Sequence, residues 1–283
     1  MSEQKTVKGQ SMLNGALILV VATLIVKVIG AIYKIPLTAL IGEVGRGYFS
    51  SAYEIYTPIY AISMAGLPVA VSKMVSESVT LGNYRDARMI FRVAQRLFLI
   101  VGVVGTTLLA IIAFPYVILG DCKDNLWSIL MIAPSIFFCC MMSTYRGYYE
   151  GLRNMTPTAV SQVIEALGKL ILGLLFSKLV MSAGLKKFSD GKEVFGKLCE
   201  TESEALSRIY PFAAAAAVFA VTLGTVAAYL FMVIHKKIKG DPFTRTQLVN
   251  SPRPKDSGKI SSTMINIAIP MVISALITNV TNL

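Results

Sequence analysis

Five ionisable residues stand inside long apolar blocks: Lys27, Lys34, Glu54, Glu165 and Lys169. Each costs about 2.5–3.5 kcal/mol at the centre of a membrane helix. A chain retains several of them only if they pair or line a wet cavity. Lys27 and Lys34 are seven residues apart and share one helical face. Glu165 and Lys169 are four apart with the acid first, the favourable order on a helix. At about 1.5 Å of rise per residue, Lys27 and Lys169 both fall near the bilayer midplane. Three lysines against two acids suit an anion. The plainer alternative is a pair of closed salt bridges, Glu165 with Lys169 and Glu54 with Lys34, that only lock the bundle. It leaves Lys27 without a partner.

The elements that carry these residues are membrane helices. Of 283 residues, 54% are hydrophobic and only 15% charged, and the mean hydropathy is +0.64. Soluble domains carry about a quarter charged residues. The apolar residues gather in blocks of roughly 20 or more, the length a bilayer core demands. Seven spans are expected: 15–41, 48–71, 97–119, 126–145, 158–183, 209–234, and one from 262 to the chain end. Barrel strands would be about ten residues long and strictly alternating. The first block is too long for a signal-peptide core and carries Lys27 and Lys34. Pro58, Pro68, Pro134 and Pro270 interrupt expected spans, as in many transporter helices.

A net charge of +11 would suggest nucleic acid on a soluble protein. Here the basic residues sort by side instead. Lys5, Lys8, Lys73, Arg85, Arg88, Arg92, Arg96, Arg146, Arg153 and the run from Lys236 to Lys259 fall on one side of the expected spans. The positive-inside rule makes that side, and the N-terminus (1–14), cytoplasmic. Segment 72–96 is basic and amphipathic and is expected as a helix along the inner interface, with a solvated connector as the alternative. Segment 236–261 is expected as a basic cytoplasmic linker between a six-helix unit (15–235) and the seventh helix (262–283).

No phosphate-binding loop, HExxH or CxxC occurs. His235 sits among lysines and reads as an interfacial residue. Cys139 and Cys140 read as small apolar residues. Cys122 and Cys199 are both expected outside, where they could pair, with free thiols as the default. No cofactor or metal is expected, so transport would draw on a coupling ion or the membrane potential.

Two segments resemble a known family: GLPVAVSKMVSE at 66–77 and RNMTPTAVSQVIE at 153–165. Both are similar to the polysaccharide-biosynthesis transporters of Gram-positive bacteria, the stage V sporulation B-like and lipid II flippase-like group. That group falls in the superfamily of the multidrug and toxic compound extrusion proteins. The resemblance implies an all-α integral membrane fold of two facing lobes, of which this chain supplies the first six-helix lobe and the start of the next helix. The second lobe would come from the rest of a longer product or from a second copy. It also implies a bacterial cell-membrane location and a lipid-linked glycan as substrate. Cationic residues on the first helix line the cavity in the flippase branch, and Lys27 and Lys34 match that helix as Lys rather than Arg. Arg146 and Arg153 would attract the sugar–pyrophosphate head at the inner mouth, and Lys27, Lys34 and Lys169 would hold it. An ion-coupled drug antiporter, a membrane transferase using Glu150 as base, and a purely structural role are the competing expectations.

Overall fold

The computed structural model describes residues 10–64, 66–120 and 123–281. Among them the chain is helical throughout, apart from turns and one isolated bridge between Val194 and Lys197. The helices are α1 (Met12–Met64), α2 (Leu67–Thr80), α3 (Tyr84–Leu119), α4 (Leu126–Gly151), α5 (Thr156–Ser189), α6 (Glu202–Lys239), α7 (Arg245–Asn250) and α8 (Ser257–Thr281). Five runs are long and apolar enough to cross a membrane: Leu13–Thr80, Tyr84–Leu119, Leu126–Gly151, Glu202–Lys239 and Ser257–Ala275. The first contains both of the first two expected spans.

Helix α1 is two arms joined at Gly42, whose φ of 66° and ψ of −180° break the helix. Only glycine occupies that region without a steric penalty. The arms fold back on each other, so the Tyr33 ring lies 6.3 Å from Phe49. Pro68 does not kink a span. It stands in the first turn of α2, where its missing N–H costs nothing.

The apolar surface is inverted relative to a water-soluble protein. Leu13, Leu24, Ile35, Ile111 and Ile118 are more than half exposed. Such a surface suits hydrocarbon, while helix packing inside relies on small residues. Ala213, Ala214, Ala217 and Ala220 of α6 are buried, and α4 runs through the middle of the bundle. Gly168 and Gly224 let α5 and α6 cross closely: a Cβ on Gly168 would stand 2.8 Å from the Gly224 Cα. That crossing brings Glu165 within reach of α6.

Segment 72–96 is not one helix. It is the end of α2, a turn at 81–83, and the first three turns of α3. The 236–261 segment is also more structured than a linker. It begins as the last turn of α6, holds α7 and ends in the first turn of α8. It is tied across α3: the Arg85 N–H donates to Ser251 Oγ at 3.2 Å, and the Lys255 N–H donates to Asp86 Oδ1 at 2.7 Å. Cys122 lies outside the described residues, and with it the Cys122–Cys199 pairing.

Candidate functional site

A cavity of about 390 Å³ opens between the two arms of α1, α5 and α6. Thr23, Gly30 and Tyr33 come from the first arm, Tyr53 and Tyr56 from the second, and Gln162, Glu165 and Lys169 from one face of α5. The spacing 162, 165, 169 is a single helical stripe.

Two cations and one carboxylate meet there. Glu165 is paired with Arg146 of α4, not with Lys169: the guanidinium Nη2 lies 3.1 Å from Glu165 Oε2. Arg146 Nε also donates to Ser161 Oγ at 2.9 Å, and the Thr225 hydroxyl donates to Glu165 Oε1 at 3.3 Å. Both carboxylate oxygens are therefore engaged. The Arg146 side chain is only 14% exposed. Its expected place at the bundle mouth is thus corrected. Arg146 lies inside, because two acceptors on α5 draw it in.

Lys169 has no carboxylate partner among the described residues. Its ammonium donates to Tyr53 Oη at 3.1 Å and lies 5.0–5.7 Å from the ring centres of Tyr33, Phe49 and Tyr53. Aromatic faces stabilise a desolvated cation without neutralising it. Tyr33 Oη and Gln162 Oε1 are buried with no hydrogen-bond partner. Buried polar atoms without partners are costly, and these two are closed off from the cavity space. The cavity thus presents a cation held among tyrosine rings beside a carboxylate that is already paired, the chemistry for an anionic ligand.

The other expected site residues fall elsewhere. Lys27 and Lys34 are exposed, one turn beyond the cavity-lining Thr23 and Gly30 and outside the lining itself. Glu54 is exposed too, and the Glu54–Lys34 bridge does not form. Arg153 is exposed in the turn between α4 and α5, where its carbonyl accepts from the Gln10 N–H at 2.8 Å. The tyrosines, Gln162, Ser161 and Thr225 were not singled out from the sequence. The signal was present: Gln162 shares the Glu165–Lys169 stripe, and Tyr53 and Tyr56 stand three apart in an apolar run.

Residues 12–188 match the family described as polysaccharide biosynthesis protein. Over 193 residues the chain is 32% identical to the lipid II flippase MurJ of Bacillus subtilis (strain 168), covering 65% of this chain and 35% of the flippase. Over 205 residues it is 27% identical to stage V sporulation protein B of the same organism, covering 72% of this chain and 39% of that protein. The chain therefore spans little more than a third of the length of these relatives. Among solved structures, a transporter of the MOP superfamily from Pyrococcus furiosus matches with a TM-score of 0.62 at 17% identity, over 98% of this chain and 56% of the other. Its description reports a reversed polarity of the binding pocket. An outward-facing multidrug resistance MATE family transporter matches at 0.63 and 15%, again over 98% of this chain and 56% of its own. These two likenesses concern the fold, and their coverage is that of one lobe.

Proposed function

We propose that this chain, which belongs to the polysaccharide biosynthesis protein family, forms one lobe of a flippase for an undecaprenyl-pyrophosphate-linked sugar such as lipid II. Family membership and the membrane helices support a multi-pass membrane transporter. The observation that carries the choice of substrate is Lys169, a half-buried cation with no carboxylate in ion-pair contact among the described residues, inside a cavity whose Glu165 is paired with Arg146. A binding site for cationic drugs would leave a carboxylate available. This cavity leaves an ammonium available.

With the N-terminus cytoplasmic, the pyrophosphate enters from the inner side and meets Lys169 between the Tyr33 and Tyr53 rings. Lys27 and Lys34, on the exposed face beside the cavity, add positive potential where a second lobe would close. That lobe comes from the remainder of a longer protein or from a second copy. The prenyl tail stays in lipid while the lobes rock. An inside-negative potential favours outward movement of the anionic head by about 2.3 kcal/mol per charge per 100 mV. The chain's own residues bind and release; no bond is made or broken, and Glu150 has no catalytic part.

The test is complementation. A bacterium depleted of its lipid II flippase receives the reading frame that encodes this chain. Restored growth supports the assignment, and failure of a well-inserted protein moves the substrate to another glycan lipid.

A further inference from the structure

A second polar cavity, of about 370 Å³, lies where α4 ends, α5 begins and α6 ends, on the N-terminal side of the Glu165–Lys169 stripe. Gln10, Tyr149, Arg153, Asn154, His235 and Lys239 line it. No acidic residue is among its lining residues. Asp241, between the lining Gly240 and Pro242, is already occupied by Arg88, Lys236 and the Tyr148 hydroxyl. Arg153 and Lys239 are exposed and have no ion-pair partner among the described residues. The His235 ring is fixed by a 3.1 Å contact between Nδ1 and Tyr149 Oη.

The backbone adds an independent observation. Arg153 has a φ of 56°, and only one other non-glycine among the described residues, Phe195, is positive. Gly or Asn would adopt this conformation at lower cost. An arginine held there, at the rim of a cavity rich in positive charge, points to a side chain kept for its function. The turn is braced besides: the side chain of Gln10 accepts from the Met155 N–H at 3.0 Å and donates to Thr156 Oγ1 at 2.8 Å.

We infer that this cavity is a second anion site that receives a phosphate-bearing headgroup at the inner membrane face, with Arg153 and Lys239 as its charged contacts. Asn154 and His235 supply neutral hydrogen bonds. The start of α5 beside this site stands about 9 Å along the helix from Gln162, by the rise of the six residues from Thr156. Binding at the inner face does not depend on the transported molecule. The identification of the headgroup as the substrate's own, received before it reaches Lys169, rests on the flippase assignment above.

The experiment uses the purified protein in nanodiscs of phosphatidylcholine, with inorganic pyrophosphate as probe and calorimetry as readout. Arg153→Gly suits the backbone and removes the charge, so it keeps the fold. Combined with Lys239→Gln, in a Lys169→Met background that removes the cation of the first cavity, it is expected to weaken pyrophosphate binding about tenfold or more. Arg153→Lys keeps most of the affinity, and Lys169→Met leaves a pyrophosphate site of unchanged affinity at this end. Phosphatidylglycerol added to the nanodiscs identifies the source: competition with pyrophosphate means that bulk lipid headgroups occupy the same site. Equal binding by the double variant and by its Lys169→Met background, with unfolding temperatures matched, overturns the proposal. If the parent fails to complement flippase depletion yet the double variant still loses pyrophosphate, the flippase assignment falls and this site stands.

Discussion

Two carboxylates in this chain each face two cations, and they are solved in opposite ways. Asp241, just after α6, takes both cations: Arg88 Nε lies 2.6 Å from Oδ2, and Lys236 Nζ lies 3.0 Å from Oδ1. The Tyr148 hydroxyl donates to the same Oδ1 at 3.3 Å. Lys236 is also packed over the Phe91 and Tyr148 rings, at 4.1 and 4.0 Å. Every charge there has a partner, and the cluster fastens the segment after α6 to α3 and α4. Glu165, inside the bundle, takes only Arg146 and leaves Lys169 to aromatic rings and one hydroxyl. A saturated cluster is a lock. A cluster with one cation left over is the candidate site for an anion. Position alone would not separate them, because both lie among aromatic side chains; the count of partners does.

That contrast can be broken from several sides. The largest effect on stability is expected from Arg146→Met, which strands Glu165 among helices and costs about 3 kcal/mol. Adding Glu165→Gln should recover much of it, read as unfolding temperature in detergent. If the single variant is as stable as the parent, the pair is not what neutralises Glu165. Next comes Gly42→Ala, which forces a Cβ into a region of φ and ψ that belongs to glycine. About 1–3 kcal/mol is expected, with the two arms of α1 splayed and the cavity lost to ligand.

Asp241→Asn should cost about 1–2 kcal/mol and loosen 240–256 to proteolysis while leaving ligand binding in the Lys169 cavity unchanged. Burial raises the Asp241 pKa, but the hydrogen bond and charge of Lys236 and the charge of Arg88 outweigh it and hold it below the ordinary carboxylate value. A depressed folded pKa means that the stabilisation is complete above the unfolded value of about 4 and is lost as pH falls through the folded one. Asp241→Asn should therefore flatten the acid limb of the stability curve. The smallest effect is Tyr33→Phe, which removes an unpaired buried hydroxyl. Stability should hold or rise by under about 1 kcal/mol, read as unfolding temperature in detergent.

Much of this was legible in the residues. Apolar block length announced the membrane helices, and the stripe of Glu165 and Lys169 marked the face of α5 that lines the cavity. Lys169, expected near the bilayer midplane, lines the cavity between α1, α5 and α6. Two things were hidden. The pairing of Glu165 needed to know that α4 passes close enough for Arg146, which is 19 residues away in sequence, to outcompete the i,i+4 lysine. Periodicity describes one helix at a time and cannot weigh a partner from another. The fates of Lys27 and Lys34 were hidden for a related reason. A shared face is visible in spacing, but whether that face turns into the cavity or beside it depends on the fold at Gly42. Segment 72–96 misled because its amphipathic pattern runs through the turn at Gly82, whose φ of 75° ends α2.

The most direct measurement compares Lys169→Met with Asp241→Asn, at matched membrane levels, in the cell depleted of its lipid II flippase. A cavity built around a spare cation predicts that Asp241→Asn sustains growth and Lys169→Met does not. Growth with Lys169→Met equal to that of the parent would contradict the central role of that lysine.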